Sequence, residues 1–271
     1  MKIKSIPVIL TLSSLAICGL RLYQIALLTE PDTGFLSRAD WSVAALWVLV
    51  PLSLALLLIA GALSFQGPEV SFSGGAGRST GLFLLLPAVS ILWESLQGLL
   101  FSQQQAPHLG GQNLPFWWSL LELLGIATAV GCCFLCGALL SGKAPNRALA
   151  LPGLLLAAYL LLRALLTYLS APAVITLPSM LFRVLALTGM GVFYLAAARL
   201  FSGIGARQGR RSLLIYGTCG LLLAIASAAP TALGALCFGA QKAAVSFETV
   251  TVAALAVCGI QLMERTINAA K

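Results

Sequence analysis

The chain has 271 residues, of which 59% are hydrophobic and only 9% are charged, with a mean hydropathy of +0.98. A soluble domain carries about 25% charged residues, so this composition excludes a soluble globular protein, a disordered chain and a coiled coil. Sixteen Lys and Arg residues outnumber eight Asp and Glu residues, which gives a net charge of +8. We therefore predict an all-α, multi-pass membrane protein that forms a single integral membrane domain over residues 1–271.

Eight apolar runs follow one another along the chain. Each run is long enough to cross a bilayer as a helix, which takes about 20 residues. Clusters of Pro, Gly and charged residues separate the runs, as expected for connecting loops. The predicted spans cover residues 6–28, 41–64, 80–101, 116–140, 148–169, 178–201, 213–238 and 247–263. We interpret these eight transmembrane helices as four tandem helical hairpins.

The basic residues predict the orientation of the chain. With the N-terminus in the cytoplasm, eleven of the sixteen Lys and Arg residues fall on the inner side, whereas only Arg38 and Lys242 fall on the outer side. The eleven inner residues are Lys2, Lys4, Arg78, Lys143, Arg147, Arg199, Arg207, Arg210, Arg211, Arg265 and Lys271. The outer loops instead hold the acidic residues Glu30, Asp32, Asp40 and Glu248. Because cytoplasmic loops carry an excess of Lys and Arg, both termini are predicted to be cytoplasmic, with the chain in the cytoplasmic (plasma) membrane.

This charge distribution also bears on the partners of the protein. The net positive charge is explained by orientation in the membrane, so we expect no nucleic-acid partner. The lipid bilayer is the expected partner, and the basic inner loop suits anionic headgroups.

Polar residues recur at regular intervals, which indicates internal repeats. Arg21, Glu94 and Arg163 stand 73 and 69 residues apart at the same depth of successive outgoing helices. A period of this length suggests duplication of a two-helix unit. We expect repeats over residues 1–66, 79–143, 146–204 and 212–271. These repeats would be parallel, unlike the inverted repeats of many secondary transporters.

Five ionisable residues lie inside the predicted spans: Arg21, Glu94, Glu122, Arg163 and Arg183. At a rise of 1.5 Å per residue, all five would sit about 8–10 Å below the outer surface. Such a residue costs about 2.5–3.5 kcal/mol at a helix centre, so the five should face the bundle interior and pair. We predict pairs of Glu94 with Arg21 or Arg163, and of Glu122 with Arg183, which leaves one Arg over.

Three interpretations of this charged layer remain open from the sequence. Ion pairs could simply lock helices together, with the spare Arg extending to the membrane interface. An outward-facing pocket with an unpaired guanidinium would suit a carboxylate or phosphate group. Proton or ion coupling through Glu94 or Glu122 is the third. Gln97 follows Glu94 by three residues, on the same helical face. The candidate binding residues are Arg21, Glu94, Gln97, Glu122, Arg163 and Arg183.

The functional hypothesis is therefore a protein that binds or transports a small anionic or amphiphilic molecule. No nucleotide-binding motif is present, so active transport would need ion coupling or a partner ATPase. The alternative is a non-catalytic membrane subunit or sensor that acts through a partner protein. An enzyme is the less expected class, because no arrangement of nucleophile, acid and base is visible.

Other motifs give no support for a cofactor, a metal or a catalytic centre. Residues 74–80 are glycine-rich and basic, but the spacing of a phosphate-binding loop is absent. Cys132, Cys133 and Cys136 lack a nearby His or carboxylate and are interpreted as small packing residues. His108, the single histidine, is interpreted as a solvated loop residue.

Overall fold

The computed structural model describes residues 5–30, 36, 40–63, 78–105, 114–141, 147–170, 178–202, 206–239 and 245–268. These residues are helical apart from short flanking segments and an isolated antiparallel β-bridge between Thr29 and Leu36. The helices are α1 (Ser5–Leu27), α2 (Trp41–Leu63), α3 (Arg78–Gln105), α4 (Leu114–Leu140), α5 (Arg147–Ser170), α6 (Pro178–Ser202), α7 (Ala206–Ser212), α8 (Thr218–Phe238) and α9 (Phe247–Asn268). A π-helical turn, Leu213–Gly217, joins α7 directly to α8.

The prediction of eight spans is confirmed. Within the described ranges, eight helices are long and apolar enough to cross a membrane, and α7 contributes to the seventh by leading into α8. The 23 residues of α1 extend about 34 Å at 1.5 Å per residue, more than the hydrocarbon thickness of about 30 Å. The structure lengthens α3 and α9 beyond the predicted 80–101 and 247–263, because both helices continue into polar flanking sequence.

Large apolar side chains cover much of the outer surface of the helix bundle. Leu12, Trp47 and Leu236 are 63%, 65% and 82% exposed. In water this exposure would favour aggregation, whereas in a bilayer these side chains contact lipid acyl chains of similar polarity. The exposed apolar surface therefore agrees with the membrane-spanning character of the helices.

Four spans contain an interior proline: Pro51, Pro87, Pro152 and Pro230. Proline lacks a backbone N–H and so removes one helical hydrogen bond. Membrane helices tolerate this loss because neighbouring helices and hydroxyl side chains satisfy the freed carbonyl groups. Pro230 removes the helical hydrogen bond to the Ala226 carbonyl, and the hydroxyl of the next residue, Thr231, donates to the adjacent Ser227 carbonyl at 2.9 Å.

The packing order of the helices brings α3, α5, α6 and α9 together. Helix α5 packs between α4 and α6, α3 packs against α4 and α9, and α8 contacts α1, α2, α6 and α9. At the crossing of α6 and α8, Gly189 faces Gly220, and a Cβ on Gly189 would lie 2.9 Å from the Cα of Gly220. The two glycines thus allow the backbones to touch, as is common between membrane helices.

Several sequence features lie outside the described residues. These are His108, residues 74–77 of the glycine-rich segment, and the charged residues Lys2, Lys4, Asp32, Arg38, Lys143, Lys242 and Lys271. At Arg78, Arg147, Arg207 and Arg265 the structure describes the helical backbone but not the side chain. Within the described part of the chain, no group of three or more His, Cys, Asp or Glu residues could hold a metal ion.

Candidate functional site

Arg163 of α5 is the centre of a buried ionic network. The residue is 7% exposed, and each nitrogen of its guanidinium group has a partner. Nε donates to Oε2 of Glu248 at 2.9 Å, and Nη1 donates to the hydroxyl of Tyr159 at 2.9 Å. Nη2 donates to Oε1 of Glu94 and forms an ion pair with it. The predicted pairing of Glu94 with Arg163, rather than with Arg21, is therefore the one the structure contains.

Glu248 is the second acid of this network. It lies at the second position of α9, where the helix dipole favours a negative charge, and its side chain is 3% exposed. Arg183 of α6 donates to both carboxylate oxygens of Glu248 through Nε and Nη2. Such a two-pronged Arg–carboxylate contact is among the stronger ion pairs in proteins. Glu248 thus connects α5 and α6 to α9.

Glu248 was counted with the acidic residues of the outer loops although it lies within the predicted span 247–263, and it belongs to the first turn of α9. The long side chains of Arg163 and Arg183 reach along their helices to the end where α9 begins. A carboxylate at the start of α9 can therefore contact the guanidinium groups of Arg163 and Arg183, although the Cα atoms of these arginines lie within α5 and α6 rather than at their ends. With Glu248 counted, Arg163 and Arg183 are balanced by Glu94 and Glu248, and Arg21 is the arginine left over.

Glu122 of α4 is not paired with Arg183, which corrects the second predicted pair. Glu122 is 7% exposed, and its Oε2 atom has no hydrogen-bond partner. Its carboxyl group occupies the space beside Gly98 of α3 that a side chain would otherwise fill. A Cβ atom on Gly98 would lie 2.6 Å from Oε1 of Glu122. The pairing fails because Arg183 extends toward α9, whereas Glu122 faces α3.

Arg21 of α1 stands apart from the network. It is 5% exposed, and within the described part of the chain no carboxylate pairs with it. Its Nη1 donates to Oε1 of Gln24 at 3.1 Å, and Gln24 in turn donates to the Ser42 hydroxyl at 3.2 Å. Its Cζ atom lies 5.0 Å from the centre of the Phe182 ring, a cation–π distance, and its Nε has no hydrogen-bond partner.

Gln97 does not join the charged groups, contrary to the expectation from its spacing. It is exposed on α3, whereas Ser95, two residues earlier, is fully buried. Side chains two residues apart point about 200° away from each other around a helix. Because Ser95 lies on the side of α3 that packs against α4, Gln97 points away from that contact.

Apart from Gln97, the sequence-derived set is thus divided into three parts. Glu94, Arg163 and Arg183 belong to one network that Glu248 completes. Glu122 is adjacent to it without a cation partner of its own, and Arg21 forms a second polar centre with Gln24 and Ser42. One sequence signal pointed to Glu248, namely an acid in the first turn of a predicted span.

The two centres differ in what they can do chemically. The network joins α3, α5, α6 and α9, and removing one partner from such a buried pair typically costs about 3–5 kcal/mol. Arg21 is a buried cation with an unused donor, which is the chemistry that recognises carboxylate or phosphate.

No protein-family model, curated protein or solved structure matches the chain.

Proposed function

We propose that this protein binds or transports a small anionic or amphiphilic molecule at a site that includes Arg21. The observation that carries the proposal is the environment of that guanidinium group. A buried charge without a counter-charge is costly in a membrane, and the neutral partner Gln24 compensates for only part of that cost. An anionic group on a ligand would supply the missing charge and accept from the free Nε atom.

Arg183 extends the positive character of this region. It directly follows Phe182, whose ring faces Arg21, and its side chain remains 39% exposed although it pairs with Glu248. Both guanidinium groups therefore approach the same end of α6. An amphiphilic molecule would place its charged group there and its apolar part among the apolar side chains of α1, α2 and α8, such as Ile17 and Leu222.

The proposed orientation follows the distribution of basic residues. Both termini would be cytoplasmic, the spans would form four tandem hairpins, and the chain would reside in the plasma membrane. The charged side chains would then lie toward the outer face, so the ligand would be recognised from outside. Any active transport would depend on ion coupling or on a partner ATPase.

A non-catalytic subunit or sensor is the second candidate. The observation in its favour is that the ionic network is closed, since Arg163 already has a partner at each nitrogen. Such a closed network serves to fix helices relative to one another and needs no ligand. In that case a partner protein, rather than a small molecule, would be recognised.

The test uses ligand-dependent thermal melting of the purified protein in a neutral detergent. Decyl phosphate serves as the anionic amphiphile, and decanol serves as its uncharged counterpart. A ligand present at one hundred times its dissociation constant stabilises the folded state by about 2.7 kcal/mol. We expect decyl phosphate, and not decanol, to raise the melting temperature of the wild type.

Two variants decide whether Arg21 is responsible. Arg21→Met should remove the response to decyl phosphate, whereas Arg199→Met, at the exposed far end of α6, should retain it. Equal responses in wild type and Arg21→Met, or no response in the wild type, would overturn the proposed site. Stoichiometric co-purification of another membrane protein together with an absent response would support the subunit instead.

A further inference from the structure

We propose that Glu122 is a proton-binding site within the membrane, held as a neutral carboxylic acid beside the ionic network. The inference does not depend on the Arg21 site, because Glu122 lies in the contact between α3 and α4, whereas Arg21 belongs to α1. It starts from the geometry of the carboxyl group itself.

The carboxyl group of Glu122 is enclosed by the backbone of α3. Atoms Cδ, Oε1 and Cγ would lie 2.5, 2.6 and 2.8 Å from a Cβ on Gly98, so the group fills the space of that absent side chain. The residue is 7% exposed, and Oε2 has no hydrogen-bond partner. A carboxylate normally accepts several hydrogen bonds when it is buried, and an isolated one is strongly disfavoured in an apolar medium.

The surrounding groups do not provide a cation for Glu122. Helix α4 packs against α3 and α5, and the groups that face Glu122 from these helices are Glu94 and Ser95 of α3 and Arg163 and Tyr159 of α5. Arg163, the one positive group among them, already bonds through its three nitrogens to Glu248, Tyr159 and Glu94.

Charge balance leads to the same conclusion. Arg163 and Arg183 neutralise Glu94 and Glu248, so the network is complete with two charges of each sign. An ionised Glu122 would add an uncompensated negative charge next to Glu94. A proton on Glu122 removes this charge, and it is the smallest ligand that can do so in so narrow a space.

The consequence is a proton held next to a set of ion pairs. If the proton leaves, the new negative charge competes with Glu94 for Arg163, and this competition would weaken the ion pair that links α3 to α5. Protonation of Glu122 is thereby linked to the packing of the helices that the network joins.

The experiment compares infrared spectra of the wild type with those of two isosteric variants in lipid at neutral pH. Glu122→Gln should lose the C=O band of a protonated carboxylic acid, a band that shifts in D2O. Glu248→Gln is the matched comparison, because Glu248 accepts from two guanidinium groups and should lose carboxylate bands instead.

Unfolding in detergent provides the second measurement. Glutamine resembles a protonated glutamate in shape and charge, so Glu122→Gln should unfold at nearly the same denaturant concentration as the wild type. Loss of carboxylate bands in Glu122→Gln, or destabilisation as large as that of Glu248→Gln, would show that Glu122 is an ionised member of the network and would overturn the proposal.

Discussion

Replacement of Glu248 by glutamine is the most direct test of the ionic network. The side chain is 3% exposed and accepts three hydrogen bonds, one from Arg163 and two from Arg183. Glutamine keeps the size of the side chain but removes the charge, and its amide group presents donors to guanidinium groups that can only donate. Glu248→Gln therefore leaves two arginines, one buried and one partly exposed, without their shared counter-charge.

The expected loss of stability is large. Each hydrogen bond to a charged group contributes about 1.5–3 kcal/mol, but the three bonds share one carboxylate and cannot simply be added. Removal of one partner from a buried ion pair costs about 3–5 kcal/mol, and we expect Glu248→Gln to lower the free energy of unfolding by that amount. A loss of this size is a substantial part of the stability of about 5–15 kcal/mol typical of a folded protein.

The assay is equilibrium unfolding in detergent micelles, with extrapolation of the free energy of unfolding to zero denaturant. Glu264→Gln is the matched control, because Glu264 lies on the same helix, α9, and is exposed. We expect this control to change stability by no more than about 0.5 kcal/mol. Equal midpoints for Glu248→Gln and Glu264→Gln would refute the assignment of Glu248 to the network.

Two further predictions concern packing and a single hydrogen bond, both measured by the same unfolding assay. Gly98→Ala should destabilise the protein by about 1–3 kcal/mol because the added methyl group would contact the carboxyl group of Glu122. Gly137→Ala is the control, because a Cβ at Gly137 would have no atom within 4 Å, and it should stabilise the protein by about 0.5–1 kcal/mol. Similar changes in stability for both variants would contradict the close contact between Gly98 and Glu122. Tyr194→Phe should cost about 0.5–1.5 kcal/mol because the buried hydroxyl donates to the Leu255 carbonyl at 3.0 Å, and an unchanged stability would count against that bond.

The pairing of the charged residues was predicted correctly in part, and the reasons are specific. Glu94 and Arg163 stand at similar predicted depths in the third and fifth spans, so their pairing could be anticipated from depth and from the cost of a buried charge. Glu248 was not included in the charged layer because it stands at the start of its span, and its pairing depends on how far the side chains of Arg163 and Arg183 extend. Gln97 was included because residues three apart are neighbours on a helix surface. That spacing does not identify which face of α3 packs against other helices, and Gln97 is exposed.

The number and approximate limits of the spans were determined by the sequence alone, because crossing a bilayer requires an uninterrupted apolar run of a certain length and each run can be recognised locally. The partners of the charged residues were decided by the tertiary structure. Which acid meets which arginine depends on the rotation of each helix about its axis and on which helices touch. In a bundle of similarly apolar helices, the rotation of each helix and the choice of its neighbours are set by close contacts such as that between Gly189 and Gly220. An apolar sequence pattern carries little information about such contacts.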